Sequence, residues 1–378
     1  MFDETIDRSG TNALKLERYK EYKNAIPAWV ADMDFKSPQC VINALKNCVE
    51  HGVFGYTAIS DELTHAIMNF IKKEHNWNTS KEWFTFTSGV VASMNIVCGM
   101  LEANESAITT TPIYPYFLNA PKNMKRQVST VRMREINNRW SIDFDEFEKS
   151  IKPNCRLILL CNPYNPGGTV FTKEELLKIG EIAIKHDLLI CSDEIHADLV
   201  LDKNAKHIPI ASLSSEIADR TITLMAPSKT FNIAGLQSSF VIIQNKKLKA
   251  NFENSMGHIN GGVNLLALTA TKAAYENGAI WLREVKEYLR ENLKLVQEFV
   301  RNNPKLKLLK LEATYLAWID CHMLNVDAWQ LFLKNGVILN DGKGFGDGGE
   351  GFVRLNFAMP RVVLKEVLTR MENAVRSI

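Results

Sequence analysis

Thr223-Leu-Met-Ala-Pro-Ser-Lys-Thr-Phe-Asn-Ile-Ala-Gly235 is the stretch on which the reading of this chain turns. The apolar run Thr221 to Ala226 predicts a short buried strand, and Pro227-Ser228 breaks it immediately before a single lysine, Lys229. In α/β proteins strand ends face the crevice where ligands bind. Desolvation there lowers the pKa of an amine, so that near neutral pH it can lose its proton and condense with an aldehyde. A lone loop lysine is ordinarily a solvated surface group, so the assignment depends on what other segments deliver to the same edge.

On both sides of this strand the pattern alternates. Short apolar strands are expected at Trp83 to Thr87, Ala107 to Thr110, Gln127 to Met133, Arg156 to Cys161, Leu188 to Ser192 and Ser238 to Ile243. Helical patterns such as Thr172 to His186 separate them. Strands apolar throughout are covered on both faces, which implies a mostly parallel sheet sandwiched by helices, an α/β lobe. Upstream, Ser37-Pro38 and Ser60-Asp-Glu open two amphipathic helices that end near Gly52 and His75. Residues before 37 carry little periodicity and read as an ordered arm. Beyond about residue 262 come helices at Val263 to Glu276 and Ile280 to Arg301, then strands at Tyr315, Val337 and Phe352, and a closing helix from Arg361 to Val375. This predicts a smaller α+β lobe, with spans of 1–45 for the arm and part of the small domain, 46–279 for the large domain and 280–378 for the C-terminal small domain.

With 378 residues the chain is long enough for two lobes, and a net charge of +2 gives no footprint for nucleic acid or a membrane surface. A small-molecule partner is expected. No apolar run approaches the roughly 18 residues of a membrane span, and the first residues do not resemble an export signal. The seven cysteines show no Cys-x-x-Cys pair, which fits buried thiols in a reducing cytoplasm and no metal site.

Several further segments end at the edge that presents Lys229. Leu188 to Ser192 delivers Asp193, then His196 and Asp198; the acid can be a salt-bridge partner, a metal ligand or the counter-ion of a protonated ring nitrogen. Arg156 to Cys161 runs into Asn162-Pro-Tyr-Asn-Pro-Gly-Gly168, a rigid turn suited to aiming the Asn165 amide. Thr87-Ser88-Gly89-Val90 starts a helix whose free N–H groups and dipole can hold a phosphate. Tyr114, in Thr111-Pro-Ile-Tyr-Pro-Tyr116, can lie over a flat ring. Lysine for an aldehyde, acid for a pyridinium, asparagine and histidine for a phenolate, helix start for a phosphate and tyrosine for a ring face together meet the needs of pyridoxal 5′-phosphate. The glycine tract Gly342 to Gly351 contains a formal Gly-x-Gly-x-x-Gly, but a strand rather than a helix follows it, so it reads as a mobile loop beside the site.

The motifs Trp29-Val-Ala-Asp-Met-Asp-Phe35, Gly52-Val-Phe-Gly-Tyr-Thr57, Asn162-Pro-Tyr-Asn-Pro-Gly167, Ser192-Asp-Glu-Ile-His196, Ser228-Lys-Thr-Phe-Asn232 and Phe352-Val-Arg-Leu-Asn356 resemble those of fold-type-I pyridoxal-phosphate enzymes. Within that family the chain resembles the MalY/PatB-type cystathionine β-lyases. The resemblance implies that Lys229 bonds the cofactor aldehyde, Asp193 pairs with the ring nitrogen, Asn165 and His196 contact its phenolic oxygen, and Tyr114 stacks on the ring. Gly89 and Val90, with Ser228 nearby, would hold the phosphate. Arg354 would grip the substrate α-carboxylate, with Asn165 and Ala31 beside it. Tyr56 would reach the site of a neighbouring subunit in a homodimer, with Tyr56 and Tyr114 joining Lys229 as catalytic groups. Gln237 stands where many relatives of the wider fold carry a phosphate-binding arginine. The implied reaction is β-elimination from L-cystathionine or cysteine; an aminotransferase on the same scaffold, or a regulatory protein that retains the fold, are the alternatives.

Overall fold

The computed structural model describes residues 2–257 and 262–378, so residues 258–261 of the expected 46–279 span lie outside the described residues. Seven strands form the central sheet: β1 (Phe84–Thr87), β2 (Ser106–Thr111), β3 (Gln127–Arg132), β4 (Cys155–Cys161), β5 (Leu189–Asp193), β6 (Thr221–Met225) and β7 (Ser239–Ile242). Their spatial order is β1-β7-β6-β5-β4-β2-β3. Neighbours are parallel except at β7, which runs antiparallel to both β6 and β1. Residues of β2 and β6 are buried throughout, as expected of strands covered by helices on both faces.

The helices that cover the sheet start and stop where local chemistry dictates. α1 (Gln39–His51) follows Pro38 and ends at Gly52, whose φ of 75° suits a residue without Cβ. In α2 (Asp61–His75) the Ser60 side chain accepts from the Leu63 N–H, and Leu63, Ile67, Phe70 and Ile71 are buried on one face. α3 (Val90–Gly99) begins directly after β1, with Gly89 before its first turn. α4 (Lys173–Lys185) carries a full capping box between Thr172 and Glu175. α5 (Leu265–Asn277) and the 24-residue α6 (Ala279–Asn302) lead to the second sheet.

That sheet comprises β8 (Lys307–Leu308), β9 (Leu316–Asp320), β10 (Asn340–Asp341) and β11 (Phe352–Asn356), in the order β8-β9-β11-β10, and α7 (Arg361–Arg376) closes the chain. A hairpin at Arg134–Ile136 and Arg139–Ser141, and short helices at Tyr116–Asn123, Phe144–Lys149, Lys246–Met256 and Ala328–Lys334, were not expected from periodicity. The hairpin strands and the helices of six to eight residues are too brief to carry several repeats of their own period, whereas the 11-residue helix Lys246–Met256 is long enough and was missed. Among the described residues no helix is long and apolar enough to cross a membrane. All seven cysteines are unpaired; Cys40 and Cys48 are half-buried rather than fully enclosed.

The arm is ordered despite its lack of periodicity, because side chains from elsewhere tie its backbone. Asn356 Nδ2 donates to the Val30 and Asp32 carbonyls, and Asn232 Nδ2 donates to those of Met33 and Phe35. Arg8 and the buried Lys15 bridge Asp32 and Asp34 at 2.8–3.4 Å. Only Lys15 among these charges is fully buried; the others keep part of their hydration, so the pairs contribute little net stability.

Candidate active site

The register of the central sheet brings the ends of β1, β4, β5 and β6 to one edge. Asp193 pairs with Cys161 on one side and Leu224 on the other, and the antiparallel β7 starts at the same edge, with Ser239 opposite Thr87. The loops that follow enclose a cavity of about 400 Å³, lined among others by Ala31, Gly89, Tyr114, Asn165, Asp193, His196 and Lys229. Sequence positions from 31 to 238 meet there because parallel strands end, and the antiparallel β7 begins, at one edge to which the arm brings Ala31, not because they are close in the chain.

Lys229 lies in a single helical turn, Pro227–Thr230, that directly follows β6. The next residue holds that turn in place: Thr230 Oγ1 donates to Asp198 Oδ2 at 2.7 Å, and Asp198 Oδ1 meets His75 Nε2 at 2.7 Å. Lys229 Nζ donates to the Ala31 carbonyl at 2.7 Å, which also accepts from the Tyr315 hydroxyl at 2.9 Å. Burial pulls the lysine pKa down to about 8, with the Arg354 charge acting the same way and the acids Asp32 and Asp193 opposing it. The amine is therefore much easier to deprotonate than a solvated one.

Asp193 is buried, and burial pushes its carboxyl up to about 7, with Glu194 adding repulsion. One oxygen accepts from the Ile195 N–H at 3.1 Å. His196 is held neutral: burial, then the charges of Lys229 and Arg354, lowers its pKa to about 3. Its Nδ1 is buried and has no hydrogen-bond partner among the described residues. At the start of α3, a Cβ built on Gly89 would meet nothing within 4 Å, so the first turn opens onto space.

Arg354, on β11, crosses from the second sheet to this edge. It donates to Asn165 Oδ1 at 3.0 Å, Asn340 Oδ1 at 2.7 Å and the Trp29 carbonyl at 3.3 Å. The Asn165 backbone is itself fixed, its carbonyl accepting from Tyr114 N–H at 3.1 Å and its N–H reaching Cys161 Sγ at 3.4 Å. Burial raises the Tyr114 phenol to about 12, so it stays protonated.

The residue range 30–371 matches the family model for aminotransferases of class I and II. The chain is 37% identical over 385 aligned positions to cystathionine β-lyase PatB of Bacillus subtilis strain 168, covering 99% of each. It superposes on the crystal structure of OvoB with a TM-score of 0.97 at 42% identity, covering all of both chains. The pyridoxal-phosphate-bound C–S lyase of Staphylococcus hominis gives a TM-score of 0.93 at 35% identity, covering 99% of this chain and 98% of that one. The chain belongs to the class I and II aminotransferase family.

In this aminotransferase-family chain, Ala31, Gly89, Val90, Tyr114, Asn165, Asp193, His196, Ser228 and Lys229 all line one cavity, and Arg354 is bonded to a residue that does. Gln237 also lines it. Tyr56 does not: its side chain is fully exposed in an irregular stretch between α1 and α2. Asp198 is drawn away from Asp193 and His196 by its bonds to His75 and Thr230, and among the described residues no group of three or more His, Cys, Asp or Glu is placed to hold a metal. Sequence reasoning missed Tyr315 and Asn340, whose nearest signal was position: one precedes β9 and the other begins β10. The glycine tract opens with a short 3-10 turn, Gly342–Phe345, in which Gly342 and Phe345 are buried while Lys343 and Gly344 are exposed.

Proposed function

We propose that this chain is a pyridoxal-5′-phosphate-dependent carbon–sulfur β-lyase that converts L-cystathionine and water to homocysteine, pyruvate and ammonia. The observation that carries this reading is a buried lysine amine and a buried carboxylate facing one cavity, with a guanidinium at its side that has no acidic partner among the described residues. The cavity fits the cofactor. Asp193 has room for a cationic N–H on its second oxygen, His196 Nδ1 has no hydrogen-bond partner among the described residues, and the open first turn at Gly89 and Val90 suits a phosphate. When bound, the cofactor supplies an electron sink for the negative charge that develops at the substrate Cα.

The chain's own residues do the rest. Lys229 Nζ, drawn below its ordinary pKa by burial, is suited to removing the Cα proton and then giving a proton to the departing homocysteine thiolate. The Ala31 carbonyl and Tyr315 mark where that amine rests between steps. Asp193 would keep the ring nitrogen charged, Tyr114 would cover the ring face, Asn165 and His196 would address the phenolic oxygen, and Ser228 would stand near the phosphate. Arg354 and Asn165, with the Ala31 backbone, orient the substrate by its α-carboxylate, so that the Cα–H and the Cβ–S bonds are presented in a fixed geometry. Purified protein with the cofactor should therefore release pyruvate from L-cystathionine at a rate proportional to enzyme, without any added keto acid. Turnover only in the presence of a keto-acid acceptor, with no pyruvate from thioether substrates, would replace this reading with aminotransfer.

Tyr56 enters this proposal through a second copy. Val49, Val53, Phe54, Tyr56 and Ile59 form an exposed apolar strip beside an apolar hollow on α1 lined by Ile42, Leu45 and Val49. A strip of that kind marks an interface. Light scattering should give the mass of a dimer, and Phe54→Asp should yield a monomer with little lyase activity. A fully active monomer removes Tyr56 from the site.

A further inference from the structure

Arg354 is buried, 3% exposed, yet every group that holds it is neutral. Its acceptors are the Asn165 and Asn340 amide oxygens and the Trp29 carbonyl, and among the described residues no carboxylate pairs with it. Among the described residues the Nε–H has no hydrogen-bond partner. Burial lowers its pKa to about 10, which still leaves the guanidinium charged at neutral pH. A buried cation without an anion is costly, and something must offset that cost before substrate arrives.

The group beneath it comes from the glycine tract. The Phe345 ring lies with its centroid 4.9 Å from Arg354 Cζ, within the range of a cation–π contact. Phe345 is itself 2% exposed, its ring centroid 4.9 Å from that of Trp318, which stacks on Phe352 at 5.0 Å with the planes 5° apart. The glycines allow the tract to deliver this ring. A Cβ on Gly342 would stand 2.1 Å from the Gly349 carbonyl oxygen and 2.5 Å from that of Phe352, and Gly346 has φ +86° against Leu118. The Phe345 carbonyl then accepts from the Ile113 N–H at 2.8 Å, beside the turn that carries Tyr114.

We propose that Phe345 is a positioning residue for substrate recognition: its ring face stabilises the buried Arg354 guanidinium without neutralising it, so that the full charge meets the α-carboxylate. An acid in the same place would hold the arginine more tightly but would compete with the substrate. This rests on the assignment of Arg354 to the α-carboxylate, and it explains a glycine tract for which the elimination chemistry has no other use.

Fluorinated phenylalanine at position 345 keeps the ring's shape but weakens or reverses the negative charge on its face. With the cofactor-loaded protein, this replacement and Phe345→Leu are expected to raise KM for L-cystathionine roughly fivefold to thirtyfold, while kcat changes by less than about twofold. Phe345→Tyr, which retains a π face, should restore KM. Titration of the cofactor's absorbance should show the same loss for L-amino acids, and no loss for amines that lack a carboxylate. Unchanged affinity for L-amino acids in the fluorinated protein, or equal weakening of both ligand classes, overturns the proposal. Should no thioether yield pyruvate, the lyase reading fails on its own, and the titration with an L-amino acid still decides the part played by Phe345.

Discussion

Lys229→Ala is expected to lower pyruvate release from L-cystathionine by at least about a thousandfold and to abolish the visible absorbance of lysine-bound pyridoxal phosphate. The fold should survive, because the one hydrogen bond lost, to the Ala31 carbonyl, leaves that oxygen still accepting from Tyr315. Circular dichroism separates a folded, inactive variant from an unfolded one. The same amine sets a pH dependence in the wild type. With its pKa lowered to about 8, Lys229 is mostly protonated below that value and mostly neutral above it. Only the neutral amine attacks an aldehyde, so cofactor uptake by the cofactor-free protein should accelerate from about pH 7 to about pH 9 and then level off. Stopped-flow absorbance measures it. A Lys229→Ala protein that retains turnover, or uptake that slows across that window, is incompatible with the assignment.

Asp193→Asn should separate function from stability. Loss of the carboxylate proposed to face the ring nitrogen is expected to reduce lyase activity by at least about a hundredfold. In the cofactor-free protein the effect on stability has the opposite sign. The folded-state pKa of Asp193 is raised from 3.8 to about 7, chiefly by burial, so the folded protein holds this proton more tightly than the unfolded chain does. Its protonated form is tolerated in acid, and the stability linked to that proton is lost as pH rises through 7. Above that pH the ionised carboxylate costs on the order of 4 kcal/mol. Asparagine carries no such charge and keeps the oxygen that accepts from Ile195. The cofactor-free variant should thus melt above the wild type at pH 8 and level with it near pH 4, whereas with cofactor present the order at pH 8 should reverse. A variant that melts below the wild type at both pH values would show that the carboxylate is not held at a cost.

The two carboxylates in Ser192-Asp-Glu-Ile-His196 show how far local reading reaches. That Asp193 ends a strand follows from the apolar run before it, and its placement opposite the lysine follows from parallel strands alone. Its neighbour Glu194 is sent the other way, to His207 Nε2 at 2.8 Å and the Ile210 N–H at 3.2 Å, where it has a structural task. Nothing in the order of residues distinguishes the two. Alternation along the strand puts them on opposite faces, and only packing shows which face holds the cavity. His196 is a similar case: its neutrality arises from burial beside two cations, one at position 229 and one at position 354, that no short-range pattern connects to it.

The amino-acid sequence by itself determined the α/β class, the succession of strands and helices, and the strand ends that carry Asn165, Asp193 and Lys229. These depend on apolar periodicity, caps and turn residues, which act over a few positions. Tertiary structure alone decided that Arg354 would have two asparagines, a backbone carbonyl and the Phe345 ring for company, and that Gly342 and Phe345 of the glycine tract would be buried. A charge left without a counter-ion is a property of everything around it, and its neighbours are chosen by the packing of two sheets and an arm rather than by any span of adjacent residues.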